Sequence, residues 1–173
     1  MKTRRHPTIL YVDDSLNDHL LFREAARLAG SNSFFHLSTI DSARSYFRGR
    51  APFSPRELYP LPGAVLLDWN IPPCTGADLL AWLRPQRAYA NMPVVVYSNA
   101  DEPGLSSLCY AAGASHFVTK PAELQQIVAV IHALEQLARG NPRAGNLLAQ
   151  LPTYRPRPGA ARVPDSGFPT RAH

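Results

Sequence analysis

Five residues of this chain are of types that, brought together, could do phosphorus chemistry: the acidic pair Asp13-Asp14, a lone acid at Asp68, a hydroxyl at Ser98 and an ammonium at Lys120. Three carboxylates placed side by side repel one another unless a cation joins them. Their oxygens, with water, suit Mg2+, which prefers octahedral oxygen ligation and keeps several waters. A carboxylate beside such an ion can act as a nucleophile toward phosphorus. The new phosphoryl oxygens then need the metal, a hydroxyl donor and a cation. Asp68, Ser98 and Lys120 supply nucleophile, hydroxyl and ammonium. Taken singly each is ordinary, since an acid pair after a strand is more often a turn or a helix cap, and Ser98 could be a cap too. The weight rests on the combination.

Lys120 is the sharpest member of the set. Of eighteen Lys+Arg, only Lys2 and Lys120 are lysines. Elsewhere the chain uses arginine. A compact ammonium on a flexible stem meets a small anion as a point charge, which a planar guanidinium does not replace freely.

The elements that must position these residues follow from hydrophobic periodicity. Thr8–Val12 is a short β-rich run ending in Asp13-Asp14. Ser15 caps a helix in which Leu16, Leu20, Leu21, Phe22, Ala25 and Leu28 recur at helical spacing, stopped by Gly30. A second strand covers Phe34–Leu37, and Asp41 opens a helix carrying Ala43, Tyr46 and Phe47. The stretch 49–63, with Pro52, Pro55, Pro60 and Pro62, reads as an extended loop. Ala64–Leu67 is an apolar third strand ending in Asp68, and Ala77–Leu83 is helical. Pro93–Tyr97 is a fourth strand ending in Ser98, followed by a helix over 105–112. Ser115–Thr119 is a fifth strand ending in Lys120, and an amphipathic helix is predicted over 121–139. Continuous apolar strands joined by helical crossovers imply a parallel sheet covered on both faces. The fold class is therefore α/β: a doubly wound, five-stranded (βα)5 sandwich of flavodoxin type, with residues 8–139 as its domain and ligands expected beyond the carboxyl ends of the strands.

Residues 1–7 form a basic arm that does not read as a secretion signal. Residues 140–173, punctuated by six prolines, are expected to be largely disordered, with Leu147, Leu148 and Leu151 able to form one short docking turn. The net charge is +5, and 141–173 holds five arginines against the single acid Asp165. The basic character thus belongs mainly to the tail, which removes the support for a nucleic-acid binder. No apolar run is long enough to span a membrane. Cys74 and Cys109 are isolated and lack metal-ligand spacing, as expected in a reducing cytoplasm.

On the pair Asp13-Asp14, the segment Leu66-Leu67-Asp68-Trp69-Asn70-Ile71-Pro72, Gly76 eight residues after Asp68, Ser98, and Lys120-Pro121, residues 7–139 resemble a bacterial response-regulator receiver domain, the CheY-like fold. Ser98 and Lys120 follow Asp68 by 30 and 52 residues, as in single-domain chemotaxis receivers. The loop at 49–63 and the opening Tyr-Val-Asp-Asp-Ser-Leu-Asn-Asp resemble more closely the small receivers that pair with bacterial phytochromes. The resemblance implies a cytoplasmic signalling phosphoprotein that catalyses only its own phosphorylation and dephosphorylation. Asp68 would accept a phosphoryl group from a sensor histidine kinase, of phytochrome type on the closer likeness. Asp14, Asp68 and the backbone carbonyl of Asn70 would bind Mg2+, with Asp13 acting through a water. Ser98 and Lys120 would each bind a phosphoryl oxygen, and Lys120–Pro121 would be a cis peptide aiming the ammonium. Ser98 and Phe117 would form the switch, Phe117 turning inward on phosphorylation and altering the face of the fourth helix, fifth strand and fifth helix. Ser98 stands for the commoner Thr, Asn99 follows it where a small residue is usual, narrowing donor access, and Phe117 stands where Tyr is frequent.

The Pro/Arg-rich tail is not expected to encode an output domain, so a stand-alone regulator is expected, its output a protein contact or a phosphorelay step to a downstream protein the sequence does not name. Homodimerisation through the last two helices is left open. Three rivals differ in class. An aspartyl-nucleophile phosphatase needs a second acid two residues after the nucleophile, where this chain has Asn70. A flavodoxin-like cofactor binder needs a phosphate-binding loop that is not doubly acidic. A receiver-like binding module that is never phosphorylated is the third.

Overall fold

The structure is a computed structural model that describes residues 8–159 except 33, 100, 101 and 142. Five parallel strands form its centre: β1 (Ile9–Val12), β2 (Phe34–Leu37), β3 (Ala64–Leu67), β6 (Val94–Ser98) and β7 (His116–Thr119). A short antiparallel hairpin, β4 (Asn70–Ile71) with β5 (Cys74–Thr75), follows β3, and β8 (Tyr154–Arg155) closes one edge. The sheet order is β2-β1-β3-β6-β7-β8, with β8 antiparallel to β7.

The connecting helices are α1 (Leu16–Leu28), α2 (Ile40–Arg48), α3 (Gly76–Leu83), α4 (Leu105–Ala111), α5 (Leu124–Ala138) and α6 (Ala144–Ala149). Period-two alternation along each strand distributes the side chains between two cores. Leu10, Val12, Val65, Leu67, Val94, Val96 and Phe117 face α2, α3 and α4. Ile9, Tyr11, Ala64, Leu66, Val95, Tyr97 and Val118 face α1, α5 and α6. Both layers are needed because the central strands are apolar on both sides, the burial expected of a parallel sheet. The predicted doubly wound α/β architecture is the one observed.

Register brings the strand ends together. Val12 pairs with Leu37 on one side and Leu67 on the other, Leu67 with Val96, and Ser98 with Thr119. The chain runs from β1 out to β2 and returns across β1 to β3, so the crevice between β1 and β3 is the topological switch point.

Two boundaries differ from expectation by more than a residue. The last long helix begins at Leu124, not 121. The Lys120 N–H donates to the Ser98 carbonyl at 3.0 Å, which extends the ladder past Thr119 and delays the turn into the helix. The tail from 140 is expected to be largely disordered apart from one short docking turn at Leu147, Leu148 and Leu151, yet both α6 and β8 pack against the receiver core. Ala144 and Leu148 are fully buried against the α1–α5 face. Gly145 lies so close to His116 that a Cβ there would stand 2.8 Å from the ring. The Thr119 N–H donates to the Thr153 carbonyl, and the Tyr110 hydroxyl donates to the Arg155 carbonyl at 2.6 Å. Apolar burial by Ala144 and Leu148 outweighs the proline-rich composition here. The arm at 1–7 and the tail from 160 lie outside the described residues. Among the described residues no helix is long and apolar enough to cross a membrane.

Candidate acidic site at the strand ends

Each functional side chain is delivered by the end of a strand. Asp13 and Asp14 follow β1, Asp68 follows β3, Ser98 ends β6 and Lys120 follows β7. Asp13 is completely buried, Asp68 nearly so, and Asp14 exposed. One carboxylate oxygen from each of the three lies within 4.8 Å of the others. These are hard oxygen donors with no sulfur or imidazole among them, a set that fits a divalent cation.

Asp13 is the most firmly held. Its Oδ2 accepts from the Tyr11 hydroxyl at 2.7 Å, and its Oδ1 accepts from the Ser15 N–H at 2.8 Å. The His36 ring donates from Nε2 to its carbonyl at 2.8 Å, and its own N–H donates to Leu37. Asp68 Oδ1 accepts from the Trp69 N–H at 2.6 Å. Gly76 sits directly under this segment: a Cβ there would lie 2.9 Å from the Asp68 carbonyl oxygen and 3.1 Å from the Trp69 ring. The close approach of α3 to the strand end is therefore reserved for glycine.

Lys120 reaches into the acids with a side chain only 4% exposed. Its Nζ donates to Asp13 Oδ2 at 2.7 Å, to Asp18 Oδ2 at 2.7 Å and to Asp68 Oδ2 at 3.3 Å. Burial alone would lower the ammonium's pKa, but the hydrogen bonds to Asp13 and Asp18 and the charge of Asp68 outweigh it and raise it. Burial pushes the Asp68 carboxyl above its ordinary range. Lys120 pulls it down, Asp13 adds to the rise, and the net effect is upward.

Asp13, Asp14, Asp68 and Lys120 meet in one cluster, and Ser98 is buried at the same rim. Asn70, expected to offer its carbonyl, opens β4 and pairs with Thr75. Among the described residues the cis peptides are Ala51–Pro52 and Pro72–Pro73, so the expected cis bond at Lys120–Pro121 is not found. The ammonium reaches the carboxylates without it. Phe117 was expected to turn inward on phosphorylation, yet it is already 2% exposed, packed in the core with Val96 and Leu105. Its strand carries β8 on the outer edge. Asn99, expected to narrow access, is exposed and turns its amide to Asp18 Oδ2 at 3.4 Å.

Sequence reasoning missed Asp18 as a partner of Lys120. An acid in the first turn of a helix is explained well enough by the helix dipole, so its type carried no signal. The available clue was that it lies one helical turn beyond Asp14, on the same approach to the strand ends.

The profile of the response regulator receiver domain family matches residues 9–132. The chain belongs to that family, and so carries the receiver domain of a two-component response regulator, a signalling module rather than a conventional enzyme. The two-component response regulator ORR1 of Oryza sativa is 29% identical over 121 residues, 69% of this chain and 51% of the rice protein. The chain spans about half the length of the first curated relatives it matches. Among solved structures, the response regulator RPA3017, in red light signaling of R. palustris, superposes with a TM-score of 0.69 at 27% identity, covering 75% of this chain and 92% of that one. The phosphorylated cyanobacterial phytochrome response regulator RcpA gives 0.65 at 25%, covering 78% and 95%.

Proposed function

We propose that Asp68 is the phosphoacceptor of this receiver, taking a phosphoryl group from a phosphohistidine on a sensor histidine kinase. The Asp68 carboxylate oxygen forms the new bond to phosphorus as the phosphorus–nitrogen bond breaks, and the imidazole leaves. The observation that carries this reading is the meeting of a nearly buried Asp68 with two further carboxylates and a buried lysine at the switch point of the sheet. Asp14, Asp68 and the Asn70 carbonyl would hold Mg2+, with Asp13 acting through a water. When bound, the ion would neutralise charge on the transferring phosphoryl group.

The chain's own residues do the rest. Tyr11, Ser15 and His36 fix Asp13, so that one carboxylate of the site does not move. Lys120 places a permanent positive charge within 3.3 Å of Asp68 and meets one phosphoryl oxygen, and the Ser98 hydroxyl meets another. Because Phe117 is already inside, the rearrangement falls on Ser98 and Lys120. It is passed to the face of α4, β7 and α5, where a downstream protein binds. The likeness to RPA3017 and RcpA supports a kinase of phytochrome type as donor.

Incubation with acetyl phosphate and Mg2+, followed by intact mass, tests this reading. A single phosphoryl adduct is expected, absent in Asp68→Asn and after chelation of the metal. An unmodified wild-type protein, or an adduct retained by Asp68→Asn, would contradict it.

A further inference from the structure

The ammonium of Lys120 is not held chiefly by Asp68. Two carboxylates lie closer, Asp13 and Asp18, each at 2.7 Å against 3.3 Å. They differ in freedom. Asp13 is fully buried and fixed by Tyr11, Ser15 and His36. Asp18 stands in the first turn of α1, its side chain 25% exposed, and besides Lys120 its carboxylate meets the Asn99 amide at 3.4 Å. A cavity of about 240 Å3 opens beside the pair, bordered by Leu21, Tyr97, Asn99 and Pro121, so either partner has room to move. Asp18 lies outside the three-carboxylate cluster suited to a cation.

We infer that Asp18 is a positioning residue that holds Lys120 back from Asp68 in the unphosphorylated protein. The inference rests on the reading of Asp68 as phosphoacceptor. An ammonium has three N–H donors, and here they are divided among three acids. A phosphoryl group on Asp68 adds negative charge and acceptor oxygens on the side of the ammonium that is most weakly engaged. Lys120 then moves toward it at the expense of Asp18, the less constrained of its two close partners. Asp18 therefore competes with the developing phosphoryl group for the cation and slows its capture. Release of Asp18 also frees its link to Asn99, so the transfer of one ammonium is coupled to the residue directly after Ser98.

The test follows phosphorylation by acetyl phosphate and Mg2+ through intact mass in four full-length proteins: wild type, Asp18→Asn, Lys120→Ala and the double variant. The Asp18→Asn rate is expected to rise about threefold to tenfold, the range of a partly buried ion pair. The rise should disappear in the Lys120→Ala background. It should persist in about 1 M potassium chloride, where the Debye length of about 3 Å screens a general field but not a buried contact. Asp18→Glu, which keeps the carboxylate, should return toward the wild-type rate. If Lys120→Ala takes up no phosphoryl group, the salt comparison decides. A wild-type adduct with an unchanged or slower Asp18→Asn rate, an equal gain without Lys120, or a gain erased by salt overturns the inference and leaves the phosphoacceptor reading intact. No adduct in the wild type overturns both.

Discussion

Asp68 sits where a carboxylate is costly to ionise, and that cost has a measurable sign. Burial and the neighbouring Asp13 raise its pKa in the folded protein, and Lys120 only partly opposes this. The folded state therefore binds more protons than the unfolded chain between the ordinary carboxylate value and the raised one. Stability contributed by the protonated group is present below the ordinary value and is lost as pH rises through the raised value. With divalent cations chelated, Asp68→Asn is expected to be more stable than the parent at pH 7, and its advantage should shrink as pH falls through the carboxylate range. Urea midpoints at both ends of the range check this. A variant less stable than the parent at pH 7 would mean that the Lys120 contact at 3.3 Å outweighs desolvation. The same balance, a carboxylate kept reactive at some cost to the fold, is what a nucleophile for phosphoryl transfer requires.

At the scale of elements, the five parallel strands were legible because each is a short apolar run broken by an acid, a serine or a lysine. The same punctuation marked the site. What escaped has physical reasons. The β4–β5 hairpin consists of two-residue strands around Pro72-Pro73, too short for any periodicity. Asp18 was hidden because its helix already accounted for it. The packing of α6 and β8 was obscured by composition, since prolines and arginines surround a six-residue helix whose burial depends on Ala144 and Leu148. Leu147 and Leu151 were grouped with Leu148 in the sequence, but Leu147 is 41% exposed and Leu148 fully buried. Truncating Leu148→Ala is accordingly expected to cost about 2–5 kcal/mol, read as a lowered urea midpoint with an unchanged slope. An unaltered midpoint would show that α6 does not contribute to the core. Because β8 caps the outer edge of β7, any partner of the α4–β7–α5 face meets the tail as well as the strand.

Over the whole molecule the cations are sorted by chemistry. Arginines fasten the backbone: the Arg84 guanidinium donates to the carbonyls of Gly113, Tyr89, Ala90 and Met92, and Arg56 to those of Phe47 and Tyr59. A planar fork with five donors suits several fixed carbonyls. Lys120, the lysine among the described residues, is instead placed where an anion would be created and removed. The doubly wound topology brings the acids to the switch point, the register aligns Ser98 and Lys120 with them, and two cores hold the sheet from either side. The proposed function turns on one chemical event at one atom. Reduction with borohydride after treatment with acetyl phosphate and Mg2+ converts an aspartyl phosphate to homoserine, with phosphate as the leaving group, and peptide mass spectrometry locates it. Homoserine is expected at position 68 and nowhere else. Homoserine at position 13 or 14, or an unmodified peptide containing Asp68 in protein carrying the phosphoryl adduct, would contradict it.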